Sequence, residues 1–305
     1  MTTGAALARR SGGAALGVVL DHLLGEPAIS WHPVVHFGRL MNALERKGYL
    51  DSRARGVAYS LAGTLLGVGS GRVVGSSAAA TYVAVAARML NRTAAELHLT
   101  LARGDLDQAR ALLPSLVGRE TTSLDVTEIS RAVIESVAEN TVDAIVAPVL
   151  WAGVAGAPGA LGYRAVNTMD AMVGHRSPRY NNFGWASARL DDVANWIPSR
   201  ATAVLVALVR PRSAAVIRTA VRTQAPAHPS PNAGVAEAAF AAALGVQLGG
   251  RNRYGDHVED RAPLGTGRPP EPSDIVRAIE LSRHVTFALA GLLGLLGLAT
   301  WRVAR

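Results

Sequence analysis

Arg131, Glu135, Glu139 and Asp143 stand four residues apart in the segment RAVIESVAENTVD. On a helix that spacing stacks side chains along one face. Three carboxyl groups would then line one stripe of an otherwise small and apolar stretch that runs into the hydrophobic segment Ala144–Ala157. Carboxylates beside apolar surface must pair, bind a metal or neutralise. One turn apart they can hold Mg²⁺, which takes one or two protein carboxylates and completes its shell with water and phosphate oxygens. Glu139 could instead serve as a general base. A plain surface ladder between Arg131 and Glu135 accounts for Glu135 but not for Glu139 or Asp143. Asn140 stands beside the stripe.

Four further constellations carry polar groups in spacings that suit chemistry. In YRAVNTMDAMVG (Tyr163–Gly174), Arg164, Asn167 and Asp170 are three apart and share a broad helix face, with Asp170 between Met169 and Met172. In GHRSPRYNNFGWASARLDDVANWIP (Gly174–Pro198), Asp191 and Asn195 fall on one face with Asp192 adjacent. That pattern suits a divalent cation bridging phosphate oxygens, and Arg176, Arg179 and Arg189 could clamp phosphate or carboxylate. His32 lies in DHLLGEPAISWHP (Asp21–Pro33) as a ligand, base or turn residue. HPSPN (His228–Asn232) opens a helix, where exposed amides attract anions and Ser230 or Asn232 can cap. A solvated acidic face and a plain capped helix start are the bland readings of the second and fourth.

The elements that must hold these groups look like membrane helices. Of 305 residues, 49% are hydrophobic and 18% charged, with a mean hydropathy of +0.20. Val285–Trp301 carries no charge and has no polar face. Val57–Val74, Val142–Tyr163 (broken by Pro148 and Pro158), Ala201–Val209, Ala233–Leu248 and Gly12–Leu24 are further candidates, and four or five membrane segments are expected. Leu90, Ala94, Leu97 and Leu101 make Ala87–Arg103 an amphipathic helix, paired around Gly104 with a second over Asp105–Val117. Thr127 is the expected N-cap of the Glu135 helix. Arg251–Pro272 reads as an extended loop, and no strand pairing is expected. The expected fold class is all-α, a polytopic membrane protein formed as a single domain over 1–305.

Cysteine is absent, which excludes disulfides, thiolate ligands and a cysteine nucleophile. The net charge is +8, and Lys47 is the only lysine. No Walker A loop exists. The arginines are dispersed and interleaved with no aromatic motif, which argues against nucleic acid as a partner. No cleavable signal peptide is evident: Asp21 and His22 interrupt the apolar run after Arg9 and Arg10.

The order DxxxGEP…HP, ESVAENTVDAIVAP, YRAVNTMDAMVGHR, RYNNFGWASARLDDVANWIPSR and HPSPNAG…EA…ALGVQLGG, from Asp21 to about Leu264, resembles the CobD/CbiB family of cobalamin biosynthesis. His175, Ala144, Ala171 and Asp256 depart from its usual pattern, but no carboxylate is lost. The resemblance implies a multi-pass protein of the cell (plasma or inner) membrane, an adenosylcobinamide-phosphate synthase. Such an enzyme joins adenosylcobyric acid to aminopropanol or its O-phosphate through an amide bond. The DxHxxG pattern of some corrinoid modules is absent, so the corrinoid would be held by its periphery.

That reading is of an ATP- and Mg²⁺-dependent C–N ligase. Glu135, Glu139, Asp143 and Asp170 form the catalytic set, and Glu139, Asp143, Asp191 and Asp192 the metal set. Arg164, Arg176, Arg189, Asn140, Asn167, Asn195, His32, Ser230 and Asn232 bind substrate and phosphate. A homo-oligomer or other membrane enzymes of the pathway are possible partners, besides the lipid bilayer. The alternatives are a membrane Mg²⁺-dependent transferase acting on diphosphates and a non-catalytic carrier of corrinoid precursors, where intramembrane acids would line an ion path.

Overall fold

The computed structural model describes residues 3–27, 30–175, 177–254 and 257–303. In chain order it forms α1 (Thr3–Leu24), α2 (Pro33–Gly48), α3 (Arg53–Val74), α4 (Ser77–Ala84), α5 (Ala87–Ala102), α6 (Leu106–Leu112) and α7 (Val126–Thr141). There follow α8 (Ala147–Met169), α9 (Trp185–Ala194), α10 (Trp196–Val209), α11 (Ala214–Thr223), α12 (Ala233–Leu244), the strands β1 (Leu248–Tyr254) and β2 (His257–Leu264), and α13 (Pro272–Val303). The protein is predominantly helical. Two compact units share the chain, each built from separated segments: Met1–Ala86, Asp143–Pro198 and Leu289–Arg305 in the first, Ala87–Val142 and Ser199–Ala288 in the second.

In the first unit, α8 is the central helix, with α1, α3 and α4 packed on it. The face that α3 buries is a stripe of small residues: Gly56, Ser60, Gly63, Gly67 and Gly71. Without a hydrophobic driving force between helices in lipid, close backbone approach through small residues is what holds them together. A Cβ on Gly71 would lie 2.5 Å from the Ala157 carbonyl oxygen. Pro148 stands in the first turn of α8 directly after the π turn, and the Ala144 carbonyl four residues back accepts from Ala86 N at 3.0 Å instead. Pro158 is not at an end, and the helix kinks just before it, at Gly156 (φ 68°). Pro158 cannot donate to the Val154 carbonyl four residues back. Arg10 of α1 donates to that oxygen instead, at 2.9 Å.

In the second unit, α12 is apolar except for Glu237 and is buried at nearly every residue. At 12 residues it is a core helix of the unit, not the membrane segment expected over Ala233–Leu248. The amphipathic reading of α5 is exact: Leu90, Ala94, Leu97 and Leu101 are its buried leucine and alanine positions together with Ala87. Gly104 turns the chain at φ 75° and Asp105 caps α6. The cap of α7 is Asp125, not Thr127: Asp125 accepts from Glu128 N and the Glu128 carboxylate accepts from Asp125 N. That reciprocal pair satisfies two orphan amides, which Thr127 cannot do. The expected loop after Arg251 is instead an antiparallel hairpin with Leu248 opposite Leu264.

Among the described residues, three helical runs are long and apolar enough to cross a membrane: Arg53–Val74, Val126–Gly174 and Pro272–Val303. Four or five were expected. Gly12–Leu24 and Trp196–Val209 do not qualify. The first is charged at Asp21, and the 14 residues of the second reach only about 21 Å. On α13, Leu292, Leu295 and Leu298 are more than half exposed, a face suited to lipid.

Candidate active site

Two polar clusters gather the residues singled out above, one in each unit. In the first unit Arg164 and Asn167 lie on α8, Asp191 and Asn195 at α9. Arg164 donates to Asn167 Oδ1 at 3.3 Å, and Asn167 Nδ2 donates to Asp191 Oδ1 at 3.3 Å. Asn195 Nδ2 donates to the other Asp191 oxygen at 2.9 Å. The Tyr163 hydroxyl donates to Asn195 Oδ1 at 2.8 Å and reaches the Asp143 carbonyl at 3.2 Å. Burial pushes the Asp191 carboxyl up to about 6, against the two amide hydrogen bonds that favour its ionised form, with neighbouring Asp192 pushing the same way as burial. His32 caps α2, accepting from Val34 N at 3.2 Å. Burial lowers its pKa, and the nearby Arg164 charge lowers it further.

Asp143 and Asp170 both sit in the first turn of π-helical segments, Val142–Val146 and Asp170–Gly174. Such bulges are frequent at functional sites. Arg131, Glu135 and Glu139 keep their four-residue spacing on α7, which ends at Thr141, before Asp143. Gly174 serves Asp170: a Cβ there would lie 1.8 Å from Asp170 Oδ1.

Other expected residues have structural partners. Arg189 pairs with Asp192 at 3.2 Å on the surface of α9. Arg179 is held by the buried carboxylate of Glu45 at 2.9 Å and stacks on Tyr49 at 4.0 Å, so it is not an open phosphate clamp. Arg176 lies outside the described residues.

The second cluster centres on α7 and α12. Glu135 is buried and does not pair with Arg131. Its Oε2 accepts from Arg119 at 2.7 Å and its Oε1 from Gly249 N at 2.9 Å. Arg119 also donates to Asn252 of β1. Arg131 donates instead to the Arg251 carbonyl at 2.9 Å. Glu135 therefore ties the hairpin to α7. Gly249 and Gly250 lie in β1, where φ values of 83° and 90° make glycine necessary. Glu139, one turn along, is exposed, and Asn140 donates back to the Ser136 carbonyl at 2.9 Å.

Ser230, not Asn232, caps α12: its hydroxyl accepts from Ala233 N at 3.1 Å. Asn232 Oδ1 accepts from Arg200 at 2.8 Å and from Ser199 at 3.1 Å. Glu237, 1% exposed, faces His228 Nε2 at 3.6 Å. Burial holds its carboxyl well above the usual range, and Glu135 and Glu139 add to that. Burial lowers the His228 imidazole, with the Arg261 charge acting the same way. In both groups burial favours the neutral form. Arg119, Tyr163 and Glu45 escaped the sequence reading. Tyr163 opens the motif YRAVNTMDAMVG without standing out in it, and in all three cases it is the hydrogen-bond partner that reveals the residue.

Among the described residues no three His, Asp or Glu side chains gather in metal-holding geometry. Asp191 accepts from two amides and has Asp192 next to it in sequence, and one or two carboxylates are what Mg²⁺ takes beside phosphate oxygens.

The profile of the family described as "CobD/Cbib protein" matches residues 14–282. The chain is 48% identical over 289 residues to the cobalamin biosynthesis protein CobD of Mycobacterium tuberculosis H37Rv, covering 90% of this chain and 92% of that one. Identity is 44% to the protein of that name in Chromobacterium violaceum (87% and 90% covered) and 40% to that of Rhodobacter capsulatus (95% and 98%). No solved structure matches.

Proposed function

The chain belongs to the CobD/CbiB family and has a role in cobalamin biosynthesis, and from that premise we propose that it is an amide-forming ligase of the membrane. Its substrates are the corrinoid acid adenosylcobyric acid, aminopropanol or its O-phosphate, and ATP. A carboxylate is a poor electrophile. Phosphoryl transfer from ATP to the corrinoid carboxylate yields an acyl phosphate and ADP, and attack by the free amine then forms the amide and releases phosphate. Transfer of this kind needs positioning and charge neutralisation more than covalent help from protein.

The observation that supports this reading is the chain of contacts Arg164–Asn167–Asp191–Asn195, drawn from two of the sequence motifs into one unit. In it, Asp191 and Asp192 would hold Mg²⁺, whose charge neutralises phosphate oxygens. Arg164 offers a guanidinium to phosphate, and Asn167 and Asn195 fix the Asp191 carboxylate. Glu139, exposed on α7 of the second unit, is proposed from its sequence motif alone as the acid that takes the proton of the incoming ammonium.

The test is direct. Membranes bearing the protein are given adenosylcobyric acid, ATP, Mg²⁺ and either amine, and the corrinoid is weighed by mass spectrometry. The amide product is expected, with ADP, and is lost on chelation of Mg²⁺. Product formed without ATP, or with release of pyrophosphate, removes the acyl-phosphate route and favours a transferase acting on diphosphates.

A further inference from the structure

Between Asp192 and Glu237 the sequence holds five arginines and no acid: Arg200, Arg210, Arg212, Arg218 and Arg222. This run builds α10 and α11, which enclose an open cleft of about 870 Å³ in the second unit. Its floor is apolar, with Ala207, Leu208 and Val221, and its rim is basic, with Arg200, Arg218 and Arg222. The volume is that of a small-molecule site. None of the residues proposed above for the chemistry lines it.

The two helices differ in a way that selects the occupant. On α10, Val204 and Leu208 line the cleft and are about 60% exposed, so the open surface of the cleft is apolar on this side. On α11, Ile217 and Ala220 are buried while Arg218 and Arg222 are exposed. Those arginines stand four apart on one face, and neither has an ion-pair or hydrogen-bond partner among the described residues. Arg200, by contrast, is tied to Asn232 at 2.8 Å and Ser199 at 2.9 Å. A short basic amphipathic helix beside an apolar one is the arrangement that sits at a membrane surface, with arginines at headgroup level and the apolar side in acyl chains.

We infer that the α10–α11 cleft binds one anionic phospholipid, its phosphate on Arg218 and Arg222 and an acyl chain along the Ala207–Leu208–Val221 floor. Two guanidiniums on one face suit a phosphate diester, and an apolar floor gives a free phosphate nothing to gain.

The test uses the full chain in detergent, titrated with phosphatidylglycerol or with phosphatidylcholine of the same acyl chains, bound lipid being counted by native mass spectrometry. Phosphatidylglycerol is expected to bind at least tenfold more tightly. The double variant Arg218→Gln/Arg222→Gln, exposed on both positions and checked by thermal unfolding, is expected to lose that preference. Ala207→Trp, which fills the floor, is expected to weaken retention of both lipids. Equal binding of the two lipids by the parent protein overturns the proposal. So does a double variant that keeps the preference, displacement of lipid by glycerol phosphate alone, or displacement by adenosylcobyric acid, which would make the cleft a substrate site. None of these outcomes depends on ligase activity.

Discussion

Glu135 and Glu139 lie one helical turn apart on α7 and meet opposite surroundings. Glu135 is buried, and both its oxygens are engaged by Arg119 and Gly249. Replacing it with Gln leaves the Arg119 charge buried beside a neutral partner, at a cost of about 3–5 kcal/mol. The expected result for Glu135→Gln is a lowered unfolding midpoint in detergent. Glu139 is exposed, so Glu139→Gln is expected to keep its midpoint and to lose roughly 10²–10⁴-fold in turnover, the range for a general base. A folded Glu139→Gln protein with full turnover takes that residue out of the chemistry. Asp191 offers a test by pH. Its carboxyl is held at about 6 in the fold against 3.8 for the free group. The stability this raised value carries is complete below pH 3.8 and is lost as pH rises through 6. Asp191→Asn should therefore be more stable than the parent at pH 7, by about 1–3 kcal/mol, and the difference should shrink towards pH 4. A difference that stays constant across that range would contradict the burial argument.

Among elements, α3 is the clearest case in which position along a helix decides the cost of one methyl group. Gly71 faces α8, and a Cβ there would meet the Ala157 carbonyl and Pro158 at 2.5 Å, while one on Gly69 meets nothing within 4 Å. Gly71→Ala is expected to destabilise by about 1–3 kcal/mol through overpacking. Gly69→Ala should be neutral or stabilising by up to about 1 kcal/mol from helix propensity. Equal midpoints for the two variants would show that α3 does not pack through this stripe. The elements also differ in how plainly the sequence announces them. The spacing of Leu90, Ala94, Leu97 and Leu101 names the buried face of α5 outright, because the 3.6-residue period is a local property. The cap of α7 is legible too, as Asp125 followed three residues later by Glu128, a reciprocal pattern that Thr127 does not make. The β1–β2 hairpin was not legible. β1 is rich in Arg and Gly, β2 carries Glu, Asp and Pro, and Glu135 and Arg119, which secure the hairpin, lie more than a hundred residues away. The two π turns are equally silent, since no residue type announces one extra residue in a helix.

For the whole molecule, the three long apolar runs make the strongest statement. The chain is expected to stay with the membrane fraction through an alkaline carbonate wash and to leave it only with detergent. Release by carbonate would contradict spanning helices. Sequence alone determined the helical class, the apolar runs and the family, because each rests on local hydropathy or on ordered motifs that survive without coordinates. It also brought Arg164, Asn167, Asp191 and Asn195 forward as candidates. Only the tertiary structure decided which of them share a hydrogen-bonded chain, that Glu135 is a buried tie, and that Ala233–Leu244 is a core helix. Those outcomes depend on which buried charge finds which partner, and a desolvated carboxylate takes whatever donor the fold brings to it, however distant in sequence.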